Sequence, residues 1–114
     1  TANVQNSIIS EGCNVYGTVD FSVVSSDVYI APDAVVRDSI IMPGARIEEG
    51  AVVQYAIVAT GSVVGAGSVV GERPENMENK EDWGVAVVGP GCRLAPESKV
   101  APKEMIDAEE AAKK

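Results

Sequence analysis

Aliphatic residues return along this chain at intervals of six and five: Ile9, Val15, Val19, Val24, Ile30, Val36, Ile41, Ile47, Val53, Val58, Val64 and Val70, restarting at Val88, Leu94 and Val100. A unit this short cannot bury its own apolar face, so the units must stack and share one core, and the chain is therefore a solenoid. Two residues before nearly every rung stands a small side chain, such as Ser22, Ala34, Ala45, Ala51, Ser62 or Ser68. Residues two apart in a strand share a face, so each hexad supplies one short strand with a small and a large inward group and an outward residue between them. Turn signals such as Pro32-Asp33, Pro43-Gly44, Glu49-Gly50, Thr60-Gly61 and Pro90-Gly91 precede the small residues. Glycine permits positive φ and proline presets its own φ, so the path alternates strand and corner.

A longer beat overlies the hexads. Val24, Ile41 and Val58 are 17 apart, as are Ile30, Ile47 and Val64. Six plus six plus five describes a three-sided coil with one tighter corner. The first coil, Ile9 to Val19, is shortened, and about five coils are expected. With 46% hydrophobic but 4% aromatic residues, the core is a column of Val, Ile and Ala. The domain reading is an all-β solenoid over residues 1–106 with a loop insertion at 72–86, followed by a tail at 107–114. The polar run from Glu72 to Val85 cannot continue a dry stack and is expected to leave the prism as a loop, either with Trp83 and Met77 lying on its wall or with Trp83 anchoring a contact with another subunit or a catalytic domain. The tail from Lys103 holds strong helix formers, with acids ahead of terminal lysines, and favours a short helix, fraying being the alternative. Met105 and Ile106 are expected to cover the open end.

Most residues that could suggest chemistry are absorbed by this register. Cys13 and Cys92 both occupy the small inward position on one face about four coils apart, roughly 19 Å, beyond the ~7 Å limit for a bridge, so both are read as buried thiols. Gly65-Ala66-Gly67 forms a corner rather than a phosphate loop, because no Lys-Ser/Thr pair or helix start follows it. The chain contains no histidine, the usual base near neutral pH and the commonest zinc ligand, so neither a catalytic residue nor a metal ligand is assigned. A net charge of −8 argues against nucleic acid and anionic membrane surfaces as partners. No apolar run approaches the ~20 residues of a membrane span, and a soluble, cytoplasmic protein is expected.

The stretch Asp38-Ser39-Ile40-Ile41-Met42-Pro43-Gly44-Ala45-Arg46-Ile47, with Glu49-Gly50-Ala51-Val52-Val53, Tyr55-Ala56-Ile57-Val58 and the ending Gly84-Val85-Ala86-Val87-Val88-Gly89 to Met105-Ile106, resembles the C-terminal left-handed β-helix of bacterial glucose-1-phosphate adenylyltransferases. The resemblance covers roughly residues 5–106. It implies a left-handed single-stranded parallel β-helix and a two-part parent. An N-terminal nucleotidyltransferase domain, using ATP with Mg2+, would join glucose 1-phosphate to ATP with release of pyrophosphate, and the β-helix would serve assembly and regulation. The glycine-rich nucleotide loop of that catalytic half has no counterpart here, so this chain alone is expected to be inactive and to hold no cofactor. The resemblance also implies a homo- or hetero-oligomer, and a sugar-phosphate effector at the domain junction for which Arg37 and Arg46 are the candidate anchors. The parent is either the catalytic enzyme or a regulatory paralogue. No two arginines are close enough in register to form a cluster, so at most half of an effector site is expected. The alternatives are a hexapeptide acyltransferase-like protein or the tail of another sugar-phosphate nucleotidyltransferase. Hexapeptide acyltransferases typically use a histidine base and γ-type carbonic anhydrases a three-histidine zinc site, neither of which this chain offers.

Overall fold

The alternation of inward and outward residues closes into three parallel sheets around one axis in a computed structural model, which describes residues 3–72 and 84–107. With strands numbered along the chain, sheet A stacks β1 (Asn3–Gln5), β4 (Thr18–Asp20), β7 (Val35–Arg37), β10 (Val52–Gln54), β13 (Val69–Val70) and β15 (Lys99–Val100). Sheet B stacks β2 (Ile8–Ile9), β5 (Val23–Val24), β8 (Ile40–Ile41), β11 (Ala56–Val58), β14 (Ala86–Val88) and β16 (Met105–Ile106). Sheet C stacks β3 (Asn14–Val15), β6 (Tyr29–Ile30), β9 (Arg46–Ile47) and β12 (Val63–Val64), and a single bridge from Val63 to Arg93 extends it. The result is the expected all-β solenoid of about five turns, consistent with a left-handed β-helix and without helix among the described residues.

Register follows the 17-residue beat: Val24 pairs with Ile41, Ile30 with Ile47 and Val36 with Val53. In the first coil the spacing drops to 15, Ile9 pairing with Val24 and Val15 with Ile30. Val58 pairs with Val88, 30 residues on, an interval 13 residues longer than one coil. Strand structure resumes at Ala86, the last residue of the 72–86 insertion, which pairs with Ala56. The inward rungs from Val19 to Val100 are buried, most of them completely, and the small residues paired with them, Ala34, Ala45, Ala51, Ser62 and Ser68, are at most 1% exposed.

The tight corner lies between sheets A and B, where single residues, Asn6, Phe21, Asp38 and Tyr55, take φ of 47–48°. Side chains other than glycine rarely enter this region. A ladder of hydroxyls sits beside that corner. Ser22 Oγ donates to Asp20 O at 2.9 Å and accepts from Ser39 N–H at 3.2 Å, and Ser39 Oγ donates to Arg37 O at 2.7 Å and accepts from Ala56 N–H at 3.2 Å. These bonds satisfy buried backbone groups that the sharp bend takes out of the regular ladder. Gly71 closes the same corner in the coil below Tyr55, at φ 79°, and a Cβ there would stand 2.0 Å from Gln54 O, so only glycine fits.

Both ends differ from expectation. Met105 and Ile106 do not lie across the open end: they form β16, with Ile106 paired to Val88 and 2% exposed. The corner at Pro102-Lys103, with Lys103 at φ 67°, keeps the six-residue interval from Val100 to Ile106, and Glu104 at the usual small position conceals the repeat in the sequence. At the other end β1 adds a rung ahead of Ile9, Val4 pairing with Val19. The ladder of inward positions is therefore one rung longer at each end. Residues 108–114, which carry most of the expected tail helix, lie outside the described residues, as does Trp83.

Candidate functional site

The outward residue of each strand forms a column down its sheet, because the strands stack in register. On sheet C the column reads Asn14, Tyr29, Arg46, Val63, Arg93. The Arg46 guanidinium lies 4.2 Å from the centroid of the Tyr29 ring, and its Nε–H donates to Glu48 Oε1 at 2.6 Å. Tyr16 leans on Tyr29 with centroids 6.0 Å apart and planes at 56°. The tyrosines fix the plane of the guanidinium, and Glu48 fixes its rotation. The side chain is still 51% exposed, so its terminal N–H groups face solvent in a geometry suited to a bidentate oxyanion. Next to this stack a cleft of about 300 Å³ opens at the corner between sheets C and A, lined by Tyr16, Gly17, Thr18, Pro32, Asp33 and Val35.

Arg37 stands elsewhere. It lies on sheet A, in register between Asp20 and Gln54. Its Nε and Asp20 Oδ1 are both buried without a hydrogen-bond partner. The two candidate anchors therefore occupy different faces of the prism, and the fold does not bring Arg37 and Arg46 together. It does bring Arg93 into the column of Arg46, with Val63 between them, roughly 10 Å away at ordinary strand spacing. Sequence counting found no such pair because the insertion hides the register. The tyrosines were also passed over, although Tyr29 and Arg46 each stand one residue before a rung and are 17 apart, which is the signal that would have found them.

A second cleft, of about 540 Å³, is lined by Gln54, Glu72, Lys99 and Glu104 among others, beside the last strands of sheet A. Cys92 is fully buried with its thiol directed at Ile106 O, whereas Cys13 is only half-buried, because no complete coil lies above it. Both belong to sheet C positions four coils apart, too far for a bridge between them, as the spacing argument required. Among the described residues no group of three or more His, Cys, Asp or Glu side chains could hold a metal ion, and no helix is long and apolar enough to cross a membrane.

Residues 1–89 match the family model described as GlmU-like, C-terminal hexapeptide. The glucose-1-phosphate adenylyltransferase of Clostridium perfringens (strain 13 / Type A) is 43% identical over 47 residues, covering 41% of this chain and 12% of that protein. The enzyme of the same name from Fervidobacterium nodosum is 50% identical over 40 residues, covering 35% of this chain and 10% of its length. The matched stretch thus spans about a tenth of these curated relatives. Among solved structures, the acetyltransferase domain of PglB from Neisseria gonorrhoeae FA1090, in complex with acetyl coenzyme A, superposes with a TM-score of 0.48 at 18% identity, over 96% of this chain and 53% of that one.

Proposed function

The chain belongs to the GlmU-like, C-terminal hexapeptide family, and from that premise we propose that it is the non-catalytic assembly and regulatory β-helix of a glucose-1-phosphate adenylyltransferase or of its regulatory paralogue. The observation that carries this reading is the 43–50% identity to enzymes of that name. The absence of histidine from all 114 residues supports it against acyl transfer. On this reading the reaction, ATP plus glucose 1-phosphate to ADP-glucose and pyrophosphate, belongs to an N-terminal nucleotidyltransferase domain that also holds the ATP and Mg2+. The chain itself holds no cofactor, and the assembly works in the cytoplasm.

The regulatory part of the proposal falls on Arg46 before Arg37. Arg46 is stacked, oriented and open to solvent, so a sugar phosphate held where the two domains meet has a ready guanidinium to pair with. Arg37, on another sheet with its Nε buried, would need a second contact surface. Two measurements test the reading. The coding sequence upstream of Thr1 should hold a nucleotidyltransferase domain with a glycine-rich nucleotide loop, and a start codon immediately before Thr1 sinks the proposal. The chain alone should show no adenylyltransferase or acetyltransferase turnover, and measurable turnover overturns the non-catalytic assignment.

A further inference from the structure

The three outer faces of the prism are chemically unequal. Sheet A carries Asp20, Arg37 and Lys99 in its strands, and sheet C carries Arg46 and the bridged Arg93. No strand of sheet B contains a charged residue. Its outward column is aliphatic from end to end and in continuous register: Ile8, Val23, Ile40, Ile57, Val87, Met105. Ile8 is 67% exposed, Val23 42%, Ile40 45% and Met105 70%. Phe21 and Val85, on the corners leading into the same sheet, and Met42, on the corner leaving it, widen the stripe and are also exposed. Seven of the nine large hydrophobic side chains exposed among the described residues thus gather on or beside one face, the exceptions being Val4 and Tyr16. An inward-facing ladder explains a core. It gives no reason for a second ladder facing water.

We propose that the outer face of sheet B is the contact between two copies of this chain. Side chains this exposed present apolar surface on the order of 700 Å², above the ~300–600 Å² of the largest patch on a typical monomer and close to the ~800 Å² that each partner contributes to a standard interface. Two flat aliphatic sheet faces have an established way to meet, stacking about 10 Å apart with interdigitated side chains. A two-fold axis through the middle of the column sets Ile40 of one copy against Ile57 of the other, and runs Ile8 toward Met105, so the stripe is complementary to itself along its whole length. Charge selects the same occupant. The chain carries a net charge of −8, and two copies meeting through sheet A or C would bring charged strands together, whereas through sheet B those strands point away from the contact. The contact is face to face, distinct from pairing of the open strand edges of the first and last coils. It does not depend on the activity of any parent enzyme.

Sedimentation velocity of the full chain from about 1 to about 200 μM reads this directly. The unaltered chain should show a concentration-dependent dimer. Val23→Lys with Ile40→Lys should weaken it at least ~100-fold, since each copy then meets unpaired charge in an apolar contact. Val35→Lys with Val52→Lys, on the outer column of sheet A, should dimerise like the unaltered chain. Val23→Thr with Ile40→Thr keeps β-branched residues in the strands and should weaken the dimer ~10-fold with the strand signature in circular dichroism retained, so it decides the matter if the lysine variant does not fold. A chain that stays monomeric throughout overturns the proposal and leaves the face for a different protein or a preceding domain. A folded variant of sheet B that dimerises as tightly as the unaltered chain also overturns it, and moves the contact to the strand edges.

Discussion

The middle coils and the first coil are built from the same repeat, yet they are not the same environment. Ile47 has coils above and below it and is completely buried, while Ile9, Cys13 and Val15, at equivalent inward positions, are only partly buried against the core. The difference is one of neighbours rather than of sequence. In a stacked solenoid each unit covers its neighbour, and the first coil has its inward groups covered on one side only. An inward aliphatic residue is therefore worth what its neighbouring coils make it worth.

Two substitution pairs and one labelling experiment would break or sharpen that comparison. The largest effect belongs to the rungs: Ile47→Ala should lower unfolding free energy by about 3 kcal/mol, and Ile9→Ala by about 1 kcal/mol, both read from urea denaturation midpoints. Equal losses would mean that the first coil is covered in solution. Next come the hydroxyls of the tight corner. Ser39→Ala removes the acceptor for the buried Ala56 N–H and should cost about 1–2 kcal/mol. Ser7→Ala removes the equivalent acceptor for Ser22 N–H at the half-covered end, where water can replace it, and should cost about 0.5 kcal/mol. If Ser7→Ala costs as much as Ser39→Ala, the end is drier than its exposure indicates. The smallest perturbation is chemical labelling of the native thiols. Cys13 should react with a thiol reagent at least ~10-fold faster than Cys92 in the folded chain, because reactivity requires access. Mass spectrometry of the labelled peptides distinguishes the two, and matched rates would show that the coils open together.

How far the sequence could be read depended on whether a feature was local. The inward ladder was legible because each rung and its small companion lie within one hexad, and because Pro43-Gly44 or Thr60-Gly61 marks a corner on its own. The tight corners were less legible. Phe21, Asp38 and Tyr55 adopt positive φ without glycine, held there by the strands on either side and by serine hydroxyls whose partners are a coil away. The rung at Ile106 escaped notice because Glu104 replaces the usual small residue, and the rung at Val4 because a solenoid end has no preceding beat to be counted from. The candidate site was legible in part. Arg46 could be placed outward by counting, but its support on Tyr29, and the sharing of a column with Arg93, required the coils to close and 13 residues to be set aside.

The amino-acid sequence by itself determined the repeat, the face to which each strand residue points, the three-sided coil with its 17-residue beat, and the separation of Cys13 from Cys92. These follow from alternation and hydrophobic burial, which act over a few residues at a time. The tertiary structure decided which outward residues become neighbours. It put Arg37 and Arg46 on different sheets, stacked Arg46 on Tyr29, buried Cys92 while leaving Cys13 half covered, and collected Ile8, Val23, Ile40, Ile57, Val87 and Met105 into one uncharged face. Such contacts join residues 15, 17 or 30 positions apart, and their geometry exists only once the sheets have stacked in register.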